Sequence, residues 1–317
     1  MLTQQNSVYT SVPLTKLSLA YRNPRYIAEM VAPTVQVVKD SGKIYSYSAD
    51  NLRIVNTYRA VGGRPNIVET TVSSADHYVL EDHVLGEYIP EEVIENQESP
   101  INARVDVTEA LIDRIWVDKE KALADVITNT SNITNNTTLS GTSQWSDYVN
   151  SDPITNIKDS ISTIRTACGK MPNSMIIAWD VLNTLLFHPD MKDYFPGAPA
   201  ITKQMLQDSL PRIFGLQQLL VGEALYNNAN LGASDSLADI WTKDVVVAYI
   251  ESSPSLKSQT FAATYQNKAP RRVEVLAQGQ GGLETVQRKS EYLQVSDKYD
   301  QVLVNELCAY LIEAAIA

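Results

Sequence analysis

Residues 99–129 read SPINARVDVTEALIDRIWVDKEKALADVITN. Val107, Leu111, Ile115, Ala122 and Val126 recur at near-helical intervals, and Ile112, Trp116 and Leu123 widen the apolar face. Asp106 and Glu109 stand at capping-box spacing. The pattern predicts one helix of about 22–26 residues, roughly 35 Å long at 1.5 Å per residue. That length is well above the mean for globular proteins and suits a spine against which a sheet packs. Leu111, Ile115 and Trp116 are the expected packing residues of this spine.

Before the helix, TVQVVKDSGKIYSYS (34–48) and NIVETTVSSADHYVLEDHVLGEYI (66–89) are rich in Val, Thr, Tyr and Ile with partial alternation, the mark of strands. Between them, in NTYRAVGGRPN, Gly62 and Gly63 free the backbone and Pro65 fixes a bend. This predicts a long two-stranded hairpin over 36–88. Such a hairpin is marginal alone in water and needs a partner surface. Arg59, Gly62, Gly63, Arg64 and Pro65 at its tip are the candidate contacts to other subunits. The first 35 residues, broken by Pro13, Pro24 and Pro33, read as an extended arm with one short helix near Tyr26–Met30. Arm, hairpin and long helix are all expected to lack partners within the chain.

After the helix, TNTSNITNNTTLSGTS (128–143) is polar and reads as a loop. Its sequons at Asn129, Asn132, Asn135 and Asn136 fit that loop better than glycosylation, because no signal peptide precedes them. Then comes an α/β pattern. Asp152 is an N-cap with Pro153 as first helical residue, Ile154, Ile157, Ile161 and Ile164 form a stripe, and Gly169 stops the helix. SMIIAW (174–179) is a short buried strand, DVLNTLLF (180–187) a helix, and TKQMLQDSLPRIFG (202–215) helical up to Pro211. LQQLLVGEALYN, DVVVAYI, RRVEVLAQ and ETVQRKSEYLQVSDKYDQVLV read as strands, and GQGGL at Gly279–Leu283 as a turn. The end, LCAYLIEAAIA, fits strand or helix.

Composition excludes several functions. The 317 residues carry 44% hydrophobic and 20% charged side chains, as a folded globular chain does. A net charge of −11 leaves no broad basic face for nucleic acid, and Arg271-Arg272 and Arg288-Lys289 are the only adjacent basic pairs. No run approaches the roughly 18 apolar residues of a membrane span. Cys168 and Cys308 are too few for a disulfide framework, and a reducing cytoplasm suits them. His188-Pro189-Asp190 is the J-domain tripeptide, but the helix before it, WDVLNTLLF, has no Lys or Arg to dock a chaperone. It reads instead as a helix end, stopped by Pro189, with His188 capping the last carbonyls. His77 and His83 lie six apart beside Glu81 and Asp82, a conceivable metal face that ordinary strand neighbours explain equally. The run LEDHVLGEYIPEEVIENQE reads as a solvated acidic stretch. No catalytic residues, cofactor site or metal site assemble, so an enzyme is not expected.

The order of elements resembles that of tailed-phage major capsid proteins of the Hong-Kong-ninety-seven type, a fold shared with encapsulins. KIYSYSADNLRIVNTYRAVGG with ETTVSSADHYVLEDHVLGEYIP resembles the family's hairpin. QWSDYVNSDPITNIKDSISTI followed by MPNSMIIAWDVLNTLLFHPDMKDYF resembles the opening of its axial domain. The resemblance implies an α+β fold: N-terminal arm 1–35, extended hairpin loop 36–88, peripheral domain with spine helix 89–152, axial domain 153–269, and returning strands 270–317 completing the peripheral domain. It implies self-assembly as hexamers and pentamers, in the host cytoplasm, into an icosahedral shell. The shell would enclose double-stranded DNA without sequence specificity; an encapsulin-like nanocompartment is the alternative. No room remains before the arm for a cleaved scaffolding segment, so a separate scaffolding protein is expected, with a portal and without membrane contact. Lys39 and Lys43 sit at the hairpin base, poorly placed for the inter-subunit crosslink of some members.

Overall fold

The computed structural model describes residues 9–20, 25–47, 53–68, 72–73, 77–97, 102–193, 202–230, 232–276 and 283–317. The expected turn at 279–283 falls almost wholly outside them. The long helix spans Ala103–Ile127, 25 residues, or about 37 Å. It starts earlier than the Asp106–Glu109 spacing suggests: Asn102 is the N-cap and its side chain accepts the Val105 N–H. Asp106 lies in the first turn, where its charge favours the helix dipole. The buried stripe also differs. Ala122 is exposed, and Val107 and Val126 are half-buried. The centre runs through Thr108, Leu111, Ile112, Ile115, Trp116, Lys119, Glu120, Leu123, Ala124 and Ile127. The helical period thus places two charged residues, Lys119 and Glu120, in the packed face.

That face lies on a five-stranded sheet. Strands Ala262–Leu276 and Ser290–Leu303 form an antiparallel pair, with an irregularity between Gln266 and Arg271. Glu81–Pro90 continues the sheet beside the second of these. Thr34–Val37 joins the first in parallel and Tyr9–Thr10 joins it antiparallel. Along Ser290–Leu303, alternate residues Leu293, Val295, Asp297 and Tyr299 are buried. The arm is therefore corrected: from residue 9 it has a partner in its own chain. Helix Val12–Ala20 crosses the long strand with Leu14 and Ser18 buried, and Ser11 donates to the Val273 carbonyl. The second arm helix, Ala28–Val31, begins on the carboxylate of Glu120.

A second sheet has the order Gln218–Gly222, Ser174–Ala178, Val245–Ala248, Ala309–Glu313, Asn136–Thr138. Ser174–Ala178 and Val245–Ala248 are buried at every residue, as central strands are. Helix Pro153–Cys168 packs on this sheet, capped by Asp152 and ended by Gly169 at φ 71°. Two readings change here. The polar segment after the long helix contributes Asn136–Thr138, which pairs in parallel with Leu311–Glu313. The end of the expected 270–317 return therefore leaves the first sheet: Ala309–Glu313 is a strand of the second, held by Val245–Ala248. Helix Lys203–Phe214 also runs one turn past the expected stop and contains Pro211.

Gly222, ending its strand, faces the buried Trp241 ring: a Cβ there would lie 2.2 Å from Cγ and Cδ1. Gly222→Ala must displace this ring, and overpacking of that kind costs about 1–3 kcal/mol. A lowered urea midpoint at unchanged m-value is the expected result.

Candidate functional site

The tip of the hairpin begins from residues whose backbone forms neither strand nor helix. Its base is a short antiparallel ladder, Ser41–Lys43 with His77–Val79 and Ser46–Tyr47 with Val72–Ser73. A small apolar cluster roots this base on the first sheet: Val35, Val37, Ile44, Tyr78, Leu80, Ala263, Tyr265 and Val304. Tyr78 stacks on Tyr265 with ring centres 4.8 Å apart, and Gly42 leaves room for the Tyr78 ring.

Beyond the base, every residue from 53 to 68 is exposed. Gly62 takes φ 79° and Gly63 donates to the Ala60 carbonyl at 2.9 Å, closing the turn. Asn56 accepts the Tyr58 N–H, and Asn66 donates to the Asn56 carbonyl. Arg59, Gly62, Gly63, Arg64 and Pro65 all lie on this loop, away from both cores. Sequence reasoning missed the apolar content beside them: Ile54, Val61 and Ile67 are 102%, 106% and 89% exposed, and Tyr58 78%. The Val and Ile content of the loop was there to be read in the sequence, but its exposure is a property of the fold. The loop carries Arg53, Arg59 and Arg64 and no carboxylate, in a chain of net charge −11.

Leu111, Ile115 and Trp116 are 2%, 4% and 7% exposed on the long helix. Around Trp116 sits a buried charged group that sequence reasoning did not find. Arg271 donates through Nε (3.2 Å) and Nη2 (2.9 Å) to one oxygen of Asp297, whose other oxygen accepts from Gln266. Arg271 Nη1 donates to the Ser18 carbonyl, and its guanidinium lies 5.4 Å from the Trp116 ring centre. Lys119, wholly buried, lies 4.8 Å from the Tyr299 ring centre and 3.5 Å from Glu29. Glu120 accepts from the backbone of Ile27 (3.1 Å) and Ala28 (2.7 Å) and from Trp241 Nε1 (2.6 Å). Burial raises its carboxyl above the ordinary range, against the lowering effect of these bonds. One carboxylate thus joins the arm, the long helix and the segment ahead of strand Val245–Ala248.

The histidines find structural places. His83 stacks on Tyr299, ring centres 4.2 Å apart, while His77 is exposed on a separate short strand. His188 caps helix Trp179–Phe187 through its backbone N–H, which donates to the Leu185 carbonyl (3.2 Å), while its side chain turns elsewhere. Its buried ring accepts the Asp190 N–H at Nδ1 (3.2 Å), so Nε2–H donates to Ser151 Oγ (3.0 Å), which donates to the Asp147 carbonyl. Burial depresses its pKa. The unfolded chain therefore binds the extra proton first, so His188 should lower stability as pH falls through about 6.5. Urea midpoints at pH 7.5 and 5.5 should diverge more for wild type than for His188→Gln.

No family model matches the chain. The major capsid protein of Burkholderia phage BcepMu is 31% identical over 241 residues, 75% of each chain. The major capsid protein of Pseudomonas phage JBD67 is 29% identical over 231 residues, 72% of this chain and 73% of its own. Among solved structures, a phage-related protein from Bordetella bronchiseptica RB50 superposes with a TM-score of 0.76 at 23% identity over 98% of both chains. The capsid of cyanophage P-SCSP1u superposes with a TM-score of 0.57 at 11% identity, over 94% of this chain and 90% of that one.

Proposed function

This chain belongs to the phage major capsid proteins, and from that premise we propose that it assembles as hexamers and pentamers into an icosahedral shell around double-stranded DNA. The observation that supports this reading is the hairpin tip, whose apolar and cationic side chains have no core of their own. Head-to-tail contacts between copies close into rings. Arg59, Gly62, Gly63, Arg64 and Pro65 are the proposed contacts to the neighbouring copy. Leu111, Ile115 and Trp116 hold the spine that carries them. The proposed units remain arm 1–35, hairpin 36–88, peripheral domain 89–152, axial domain 153–269 and return 270–317, with Asn136–Thr138 and the last strand reassigned to the axial sheet and the start of strand Ala262–Leu276 to the peripheral one.

The role is structural rather than catalytic. The acidic chain contains its DNA without gripping it, because tight holding needs clustered Lys and Arg. A separate scaffolding protein guides assembly in the host cytoplasm, and a portal occupies one vertex. An encapsulin-like compartment is the weaker reading, since both curated relatives are phage capsid proteins. Electron microscopy of the purified protein tests the assembly: closed shells or capsomer rings support it, and a dispersed monomer at high concentration overturns it. Nuclease-resistant DNA inside particles from infected cells separates a DNA shell from a protein-loaded one.

A further inference from the structure

We propose that Cys168 and Cys308 are a redox-closed latch, forming an intrachain disulfide that fastens helix Pro153–Cys168 to the root of the last strand. Cys168 is the final residue of that helix, and Cys308 is the final residue of the single turn Glu306–Cys308, which leads directly into Ala309–Glu313. The helix packs on this turn. Cys168 is 4% exposed and Cys308 fully buried, and both are free thiols. Their side chains are in hydrogen-bonding contact, and Cys168 also receives the Lys170 backbone N–H. Each thiol therefore meets the other before any thiol of a second chain.

A buried cysteine is often only a small hydrophobe. Here the two thiols, far apart in sequence, are brought together where a helix end packs on a turn. The Lys170 N–H favours the thiolate at Cys168, and burial disfavours it at Cys308. A peroxide, small enough for so enclosed a site, is the oxidant. The Cys168 thiolate attacks the O–O bond, giving a sulfenic acid and releasing one water after protonation. The Cys308 sulfur then displaces the sulfenic oxygen as a second water, its own proton leaving with it. Two thiols lose two electrons and two protons, and one peroxide becomes two waters.

The closed loop would span residues 168–308, so the chain-entropy effect on the unfolded state is large. A virion component leaves a reducing cell interior for oxidising surroundings, which supplies the occasion for closure. That timing rests on the capsid reading; the bond does not.

Full-length protein treated with dilute hydrogen peroxide, then unfolded at acid pH and alkylated, is the test. The expected product has lost two hydrogens, takes up no alkyl group, and yields a peptide pair joined at Cys168 and Cys308. Its Tm should rise by about 5 °C or more and return on reduction with dithiothreitol. Cys168→Ser should keep one alkylatable thiol and show no peroxide-dependent rise in Tm. Two thiols still alkylated, sulfinic acids at either position, or a disulfide between chains would each overturn the latch. Those readouts are made on the wild-type chain, so they decide the matter even where the variant does not fold.

Discussion

Deleting Asn56–Asn66 should give a folded subunit that no longer forms closed shells. None of these residues belongs to either apolar cluster, and all are exposed. Removing them takes away no packing, so Tm should stay within about 2 °C of wild type, the range of a neutral surface change. What goes is a cationic apolar loop that its own subunit leaves exposed. Large exposed apolar patches on a subunit mark surfaces made for a partner. Light scattering and electron microscopy should therefore report a loss of particles at concentrations where wild type assembles fully. Normal shells from the deleted chain would show that the tip is not an assembly element.

The second large effect is in the buried charged group. Asp297→Ala leaves Arg271 buried without its carboxylate, and breaking such a pair from one side costs about 3–5 kcal/mol. That is a large fraction of an ordinary folding free energy of about 5–15 kcal/mol. Gln266 loses its acceptor as well. Because Arg271 also holds the Ser18 carbonyl, protease cleavage near residue 20 should accelerate along with the drop in the urea midpoint. The double change Arg271→Met with Asp297→Leu should recover much of the loss, since neither charge is then stranded. Measurements on dissociated subunits keep assembly from masking the effect. An Asp297→Ala chain as stable as wild type would mean that water reaches Arg271.

The long helix was legible because its stripe repeats every three to four residues, and that period carries through Leu111, Ile115 and Trp116. The same period runs through Lys119 and Glu120, yet their burial could not be read locally. Glu120 is satisfied by Ile27, Ala28 and Trp241, residues more than ninety positions away. The arm was misread for a similar reason. Prolines spoke against regular structure, while the partner of its helix is a strand roughly 260 residues later, as the Ser11–Val273 bond shows. The hairpin tip was the easiest feature of the candidate site, because Gly62, Gly63 and Pro65 state their geometry in the sequence. Its apolar exposure needed the structure, which showed no face on which Ile54, Val61 and Ile67 could hide. The last strand was ambiguous by composition. Only its neighbours, Val245–Ala248 and the polar-looking Asn136–Thr138, choose strand over helix.

Ala309–Glu313 lies inside its sheet, not at the rim. During synthesis, Asn136–Thr138 emerges early and has nothing to pair with until residue 313 has left the ribosome. Tyr9–Thr10 waits longer still, for Glu274–Val275. Both layers are thus closed by late-made backbone, and such non-local pairing folds slowly. A ribosome translating this chain carries an unfinished, sticky intermediate for most of each round, a natural client for chaperones. A chain terminated before residue 309 lacks the strand that joins Val245–Ala248 to Asn136–Thr138, so it cannot complete that sheet.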